Sequence, residues 1–278
     1  MTLTFTILGC GSSAGVPRLG SGWGACDPAN PRNRRRRCSL LVERRGERGV
    51  TRILVDASPD LREQLLAADV HHLDAVLFTH EHADHTHGID DLRALAIHQR
   101  RRVPVYLDEP TSRVLRLRFR YCFETLPGSS YPQILEEHRL EPGIPVVIEG
   151  AGGPLTALPL AQDHGDIISL GFRFGGLAYS ADLVGLPPDS IRALTGLEVW
   201  IVDALRHTPH PSHFSLDDAL EWIERLKPRR AILTNMMGDL DYAALQARLP
   251  PHVEPAYDGL QIQMEDAALP LHYIQNAS

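Results

Sequence analysis

Short apolar runs that alternate with polar breaks open the chain, a pattern typical of strands separated by turns. Residues 2–8 alternate polar and apolar side chains and are rich in β-branched types, so they predict a strand. Residues 38–43 and 52–56 predict two more strands. The apolar run at 75–78 predicts a short buried strand that stops at Thr79.

Helical patterns lie between and after these strands. Apolar residues recur at helical spacing in residues 59–68, 88–99 and 111–119. Ser215 followed three residues later by Asp218 indicates a capped helix start. Further strands are predicted at residues 104–107, 145–148, 155–160, 169–174, 177–180, 199–203 and 229–234. Strand counting alone therefore predicts an α/β fold with a mixed sheet, which we expect to form a single domain over residues 1–278.

Composition is ordinary for a soluble globular protein, with 43% hydrophobic and 23% charged residues. The net charge of −7 disfavours general binding to nucleic acids. No apolar run approaches the ~18–20 residues that cross a bilayer. The N-terminal segment has no basic region before its short apolar run, so we expect no signal peptide, no membrane partner and a cytoplasmic location. The four cysteines form no CxxC pair and are expected as free thiols.

The densest chemistry follows the predicted strand at 75–78. His80, His82, Asp84 and His85 fall within one short polar stretch. Imidazole nitrogen and carboxylate oxygen suit Zn, Mn or Fe, and a strand end offers a fixed backbone for coordination. The first three alternate as they would along one side of an extended segment, whereas His85 must turn the other way, which favours two metals over one.

Two other stretches allow more than one interpretation. Residues 32–37 contain five arginines, among them Arg34 and Arg35. They predict either a solvated basic loop or a rim that attracts phosphate-bearing substrates, and these roles are compatible. Residues 121–142 are aromatic, Pro-rich and without periodicity. They predict an irregular segment that acts as a lid or as a dimer contact, so a homodimer is one expectation.

The HxHxDH cluster resembles the signature of the metallo-β-lactamase superfamily. Within that superfamily the chain is most similar to PhnP-like phosphodiesterases, which hydrolyse phosphoribosyl 1,2-cyclic phosphate. Four other features carry this resemblance: the turn at residues 9–15, the Arg-rich run, Tyr-Ser-Ala-Asp at 179–182 and Asp-Leu-Asp-Tyr at 239–242. It implies the αβ/βα four-layer sandwich, with two mixed sheets face to face and helices outside.

The resemblance also implies roles for individual residues. Two divalent ions, Zn or Mn, would be held by His80, His82, Asp84, His85, His164, Asp182 and Asn235. Asp182 would bridge the two ions, and Asp56 would orient the metal-binding loop by hydrogen bonds. His213 would be the proton donor, with His210 the reserve candidate and His207 peripheral. Ser12, in the first turn, would line the active site.

Two positions depart from the family pattern. Most relatives carry a His where this chain has Asn235, so the second site is expected to bind weakly or to prefer Mn²⁺. PhnP-like members hold a structural zinc with several cysteines, of which only Cys26 is present here. We therefore expect no structural zinc.

The reaction that the resemblance implies is metal-assisted attack on a small cyclic phosphodiester, such as a phosphoribosyl cyclic phosphate or a cyclic nucleotide. Asp84 would orient the attacking hydroxide and His213 would protonate the departing alkoxide. Three alternatives stay open at this point: a thioesterase or β-lactamase, tRNase Z-like RNA processing, and a metal-binding protein that has lost its chemistry. The lack of a strongly basic insertion disfavours RNA processing.

Overall fold

Two mixed β-sheets, each of seven strands, organise residues 2–266, the part of the chain that the computed structural model describes. Strands are numbered in chain order. The first sheet contains, in spatial order, β14 (Gln261–Glu265), β1 (Thr2–Gly9), β2 (Ser39–Gly46), β3 (Gly49–Val55), β4 (Ala75–Leu77), β5 (Val103–Leu107) and β6 (Leu135–Arg139). The second contains β13 (Val253–Pro255), β12 (Arg230–Thr234), β11 (Val199–Asp203), β10 (Leu177–Ser180), β9 (Ile167–Phe174), β8 (Leu155–His164) and β7 (Val146–Ile148).

The two sheets repeat one pairing pattern. In the first, β14, β1, β2 and β3 pair antiparallel, and β3, β4, β5 and β6 pair parallel. In the second, β7 to β10 pair antiparallel and β10 to β13 pair parallel. Antiparallel neighbours need only short turns, whereas parallel neighbours need crossovers, and helices supply several of these.

The helices lie at α1 (Leu61–Ala67), α2 (Ala83–Thr86), α3 (Leu92–Gln99), α4 (Glu109–Arg118), α5 (Arg120–Phe123), α6 (Pro188–Ala193), α7 (Leu216–Leu226) and α8 (Tyr242–Gln246). Two 3₁₀ turns occupy Pro31–Asn33 and Ile89–Asp91.

Alternation along β2 shows how the layers are built. Leu40 and Val42 belong to the core between the sheets, where Phe172 of β9 is also buried. Leu41, between them, points the other way and packs in a second cluster with Leu61 of α1. Successive side chains of a strand face opposite sides of the sheet, so one strand serves both cores. The predicted four-layer sandwich with two mixed sheets is confirmed.

The structure also departs from several predicted elements. The helix expected at residues 88–99 is a 3₁₀ turn, Ile89–Asp91, followed by α3. The segment at 121–142, expected to be irregular, contains β6, which escaped detection because Leu-Glu-Glu-His-Arg carries too little apolar alternation. Ser215 caps α7 with Asp218 in a capping box, as predicted.

Within residues 2–266, no helix is both long enough and apolar enough to cross a membrane. The single domain predicted over residues 1–278 includes residues 1 and 267–278, which lie outside the described range.

Candidate metal centre

Strand ends assemble the candidate site. β10, β11 and β12 run parallel, so their carboxyl ends meet at one edge of the second sheet. Asp182, Asp203 and Asn235 lie at or just past these ends. β8 ends at His164, and the first sheet contributes the loop that follows β4. Residues far apart in sequence are thus brought to one edge by the pairing of the strands.

Four side chains form a metal-sized cluster. One ligand atom from each of His80, His82, His164 and Asp182 lies within 4.8 Å of all the others. Nε2 of His164 is 3.3 Å from Nδ1 of His82. Three imidazoles and one carboxylate are a donor set that Zn²⁺ and similar divalent ions accept.

In His80 and His164, Nδ1 donates a hydrogen bond away from the cluster, which leaves the lone pair of Nε2 facing it. The Thr79 hydroxyl donates to Asp56 and therefore accepts from Nδ1 of His80, at 2.9 Å. Nε2 of His80 is buried and has no hydrogen-bond partner in the described residues. Burial holds the pKa of His80 well below its usual value, so the ring is neutral at neutral pH. His164 is oriented likewise, because its Nδ1 donates to the Ser212 carbonyl at 2.7 Å.

Asp56 controls a third ring. It is fully buried, in a left-handed conformation (φ 65°), and accepts the Thr79 backbone N–H at 2.8 Å. Its Oδ2 accepts from Nδ1 of His85 at 2.7 Å. Nε2 of His85 is buried and has no hydrogen-bond partner among residues 2–266, and it points at Asp84 and Asp182, 3.3 and 3.2 Å away. Asp56 thus determines which nitrogen of His85 is available to a metal.

The two carboxylate oxygens of Asp182 face different imidazoles. Oδ1 lies 3.2 Å from His85, whereas Oδ2 lies 3.8 Å from His80 and 3.6 Å from His164. Burial opposes the charge of Asp182, but the neighbouring imidazoles, with His85 the strongest, hold its pKa well below the usual range. The two oxygens of Asp182 thus face separate groups of imidazoles.

The structure corrects the expected geometry of the HxHxDH segment. It is extended only up to His82, after which Asp84 and His85 lie in the single helical turn of α2. The turn places Nε2 of His85 3.3 Å from Oδ2 of Asp84 and 3.2 Å from Oδ1 of Asp182. His164 instead faces the other oxygen of Asp182, Oδ2, at 3.6 Å.

Asn235 is oriented differently from the expected metal ligand. Its Nδ2 donates to the Ala181 carbonyl and to carboxylate oxygens of Asp182 and Asp203, at 3.1, 3.2 and 3.2 Å. Its amide oxygen faces the Cys38 thiol. Three acceptors around one position draw the NH₂ group inward, so this side chain presents a donor and not a lone pair to the centre.

His213 completes the edge of the site. Its Nδ1 donates to Oδ2 of Asp203 at 2.8 Å, and its Nε2 lies 3.8 Å from Oδ2 of Asp182. Burial opposes its protonation, but Asp203 and Asp182 raise the pKa of His213 to about 9. His210 lines the same cavity, with Nδ1 near the Ser212 hydroxyl, and His207 is exposed.

The cavity above these residues holds about 290 Å³ and is lined in part by Ser12, as expected. Arg35 does not line it. Arg35 is 2% exposed, and its guanidinium donates to the carbonyls of Met237 and Leu240, so the expected substrate contact is wrong for this residue. The alternation of the run turns Arg35 inward, and Arg34 is exposed but does not line this cavity.

Sequence reasoning missed two arginines that do line the cavity, Arg18 and Arg206. Each lies in an irregular segment outside the Arg-rich run, so no local pattern marks it. Cys26, the remnant of the zinc-binding pattern, donates from Sγ to the Leu240 carbonyl at 3.6 Å.

Residues 51–236 match the family description of a beta-lactamase superfamily domain. The chain belongs to the beta-lactamase superfamily. The predicted assignment is confirmed, and with it the class of activity, a metal-dependent hydrolase.

Solved structures of this superfamily resemble the whole described fold. A diphosphatase from the PhnP family is 36% identical, with a TM-score of 0.85 over 96% of this chain and 99% of that one. Zn²⁺-bound PqqB from Methylobacterium extorquens is 18% identical, with a TM-score of 0.68 over 93% and 99% of the two chains. The second likeness concerns the fold alone.

A curated relative carries a different name. An octanoyltransferase from Porphyromonas gingivalis (strain ATCC BAA-308 / W83) is 32% identical over 266 residues, which cover 95% of this chain. The chain spans only 52% of that relative's length. The name describes that longer protein as a whole.

Proposed function

We propose that this beta-lactamase superfamily hydrolase is a phosphodiesterase that cleaves a small diester, such as a phosphoribosyl cyclic phosphate or a cyclic nucleotide. One observation carries the proposal. The His213–Asp203 pair lies against the four-residue ligand cluster: Nε2 of His213 is 3.8 Å from Oδ2 of Asp182, the oxygen that also faces His80 and His164. A proton donor thus stands beside the place where a divalent ion would sit.

The chemistry that divalent ions supply at such a centre is Lewis acidity toward a phosphoryl oxygen and acidification of water. His80, His82, His164 and Asp182 would hold one ion, and Asp84, His85 and Asp182 a second. Because Asn235 offers an N–H donor where a further ligand is needed, the second position is the weaker one. Zn²⁺ and Mn²⁺ are both compatible with these ligands.

Asp84 would orient the attacking water, and His213 would donate a proton to the leaving group. The Asp84 carboxylate is within reach of His85 at the open side of the cluster and would orient the attacking water. Nε2 of His213 would donate its proton to the departing alkoxide, while Asp203 keeps the ring in place through Nδ1. Protonation suits this role, since the carboxylates of Asp203 and Asp182 raise the pKa of His213.

Phosphorus chemistry is also what the PhnP-family relative's name describes. Transfer of an acyl group through a cysteine finds less support. All four cysteines are buried, and burial raises the pKa of each thiol. A thiol nucleophile needs the opposite environment.

The test is the initial rate on bis-p-nitrophenyl phosphate with metal-free protein titrated with Mn²⁺ or Zn²⁺. We expect no turnover without metal and turnover that rises with added ion. A parallel panel contains a thioester, a cephalosporin and a precursor tRNA. Turnover on one of those and none on any diester at every metal loading would replace the proposal.

A further inference from the structure

Two polar residues are buried in the second sheet and take no part in the chemistry described so far. Gln162 of β8 and Ser169 of β9 lie directly opposite each other in the antiparallel pair, so their side chains share one face of the sheet. The two residues are 1% and 0% exposed. Burial of polar groups costs free energy unless they are hydrogen-bonded, so the hydrogen bonds of this pair bear on its role.

The Ser169 hydroxyl connects the pair to Asp182. Its Oγ lies 2.5 Å from the backbone carbonyl oxygen of Asp182 and 3.2 Å from Nε2 of Gln162. A carbonyl oxygen can only accept, so the hydroxyl proton is donated to Asp182, and Oγ accepts from the Gln162 amide. The two hydrogen bonds therefore run in one direction, from the NH₂ group of Gln162 through Ser169 to the Asp182 backbone.

The Ser169 hydroxyl reaches Asp182 beyond the end of the backbone pairing between β9 and β10. The last pair of that ladder is Tyr179 with Phe172. Asp182 follows Tyr179 by three residues and Ser169 precedes Phe172 by three, so the two would be opposite each other if the ladder continued. A side-chain hydrogen bond thus joins the two segments where the ladder has ended.

The peptide group that follows Asp182 is held at both of its polar atoms. Its carbonyl accepts from Ser169, and its N–H, which belongs to Leu183, donates to Oδ2 of Asp203 at 3.2 Å. The carbonyl before Asp182 accepts from Nδ2 of Asn235 at 3.1 Å. Side chains from three other segments therefore fix the backbone on both sides of the Asp182 Cα, and with it the direction of the carboxylate.

The Gln162 amide occupies space that a glycine leaves open. A Cβ at Gly171 would lie 2.4 Å from Oε1 of Gln162 and 3.0 Å from the Tyr179 carbonyl oxygen. Oε1 is buried and has no hydrogen-bond partner among residues 2–266. A buried acceptor without a partner costs free energy, so stability alone is a poor reason for an amide at this position. The NH₂ group that it supplies to Ser169 favours a role in placing Asp182.

We propose that Ser169, oriented by Gln162, is a positioning residue for the metal centre, because its hydrogen bond sets the direction of the Asp182 carboxylate. The inference rests on the metal centre of the proposed function. Among residues 2–266, neither Ser169 nor Gln162 forms a hydrogen bond with a side chain of the ligand cluster, so their effect passes through the Asp182 backbone. Metal affinity is the property to measure, since a ligand atom must lie within about 0.2 Å of its bonding distance.

The Zn²⁺ affinity of metal-free protein, measured by competition with a chromophoric chelator, tests this role. Ser169→Ala removes the hydroxyl, and we expect the affinity to fall ~10-fold. Ser190→Ala is the matched control, because the buried Ser190 hydroxyl also donates to a backbone carbonyl, that of Ala161, at 2.6 Å. It should leave the affinity close to the wild-type value. Far-ultraviolet circular dichroism checks that both variants keep the fold.

Gln162→Met tests the other hydrogen bond of the pair. Methionine has a similar length but no donor, and the Ser169 hydroxyl stays in place, so we expect a smaller loss of Zn²⁺ affinity than in Ser169→Ala. The double variant should bind Zn²⁺ no more weakly than Ser169→Ala alone, because both changes act through the same hydrogen bond to Asp182. A double variant whose loss is the product of the two single losses would overturn the proposed connection.

Failure of the positioning role and failure of the proposed activity are distinguishable. Equal Zn²⁺ affinity in the wild type and Ser169→Ala, or equal losses in Ser169→Ala and Ser190→Ala, would overturn the role while diester hydrolysis by the wild type stands. A wild type that binds no Zn²⁺ would overturn the role together with the metal centre. If the wild type binds Zn²⁺ but hydrolyses no diester, the phosphodiesterase proposal fails, and the affinity comparison still decides the role of Ser169.

Discussion

Nδ2 of Asn235 lies 3.2 Å from Oδ1 of Asp182 and donates a hydrogen bond to it. The same oxygen of Asp182 is 3.2 Å from Nε2 of His85. Asn235 was expected to share a metal with Asp182. It instead donates a hydrogen bond to one of the carboxylate oxygens of Asp182. In the proposed two-metal centre, the second position is thereby left with fewer lone pairs than the first.

Replacing that donor should strengthen the second position. Asn235→His substitutes an imidazole lone pair for an N–H donor, and His tolerates the left-handed backbone of residue 235 (φ 60°). After dialysis against metal-free buffer we expect one tightly held ion per wild-type chain and two per variant chain, counted by elemental analysis. Asn235→Ala, which removes the donor without adding a ligand, is the control. Two retained ions in the wild type would contradict this account.

Removing the proposed proton donor should slow turnover without emptying the metal centre. For His213→Ala we expect a ~10²–10⁴-fold lower kcat on a diester with a poor leaving group, because the alkoxide then departs unprotonated. Bound metal should match the wild type. His207→Ala is the matched control, since His207 is exposed and, among residues 2–266, only its backbone N–H makes a hydrogen bond, to Asp239. Equal losses in both variants would remove His213 from the role.

Asp56 acts on the metal centre through His85 and Thr79. Asp56→Asn keeps the shape and tolerates the left-handed backbone but weakens the acceptor that orients Nδ1 of His85. We expect metal affinity to fall ~10–100-fold, measured by competition with a chromophoric chelator. Far-ultraviolet circular dichroism checks that the fold is retained. Unchanged affinity with the fold retained would show that Thr79 and packing suffice to orient the ring.

Arg35 is predicted to matter for stability. Arg35→Met would leave the carbonyls of Met237 and Leu240 buried without their donors. We expect the free energy of unfolding to fall by about 2–4 kcal/mol in urea denaturation. The neighbouring Arg34→Met, at an exposed position, should change it by less than about 0.5 kcal/mol. Similar effects in both variants would argue against the interior role.

The four cysteines should be unreactive in the native state. Burial raises the pKa of every one of these thiols, to about 11 for Cys122, so at pH 8 they stay protonated as well as inaccessible. A thiol reagent such as dithiobis-nitrobenzoate should label none of them within minutes at pH 8 and all four in guanidinium chloride. Rapid labelling of a native cysteine would show that its surroundings open. Raising the pH to 9 should change the native rate little.

Local pattern was enough for part of the fold and part of the site. The metal-capable residues follow β4 within a few positions of the chain, so their spacing in the sequence was enough to reveal them. They are His80, His82, Asp84 and His85. The alternation that builds β1, the apolar run of β2 and the capping box at Ser215 are local for the same reason. The polar strand β6 was missed because it lacks the apolar alternation that marks a half-buried strand.

What the sequence by itself determined, then, was the class of fold and one set of metal-capable residues, since both depend on neighbours in the chain. Only the tertiary structure decided what three other residues do. Asn235 turns its NH₂ inward because three acceptors from two separate segments, residues 181–182 and Asp203, surround it. Arg35 and Arg18 both lie in irregular loops, but Arg35 is buried because its guanidinium donates to carbonyls of the distant segment after β12, whereas Arg18 is exposed. Burial and hydrogen-bond partners are properties of the folded neighbourhood, and no spacing along the chain encodes them.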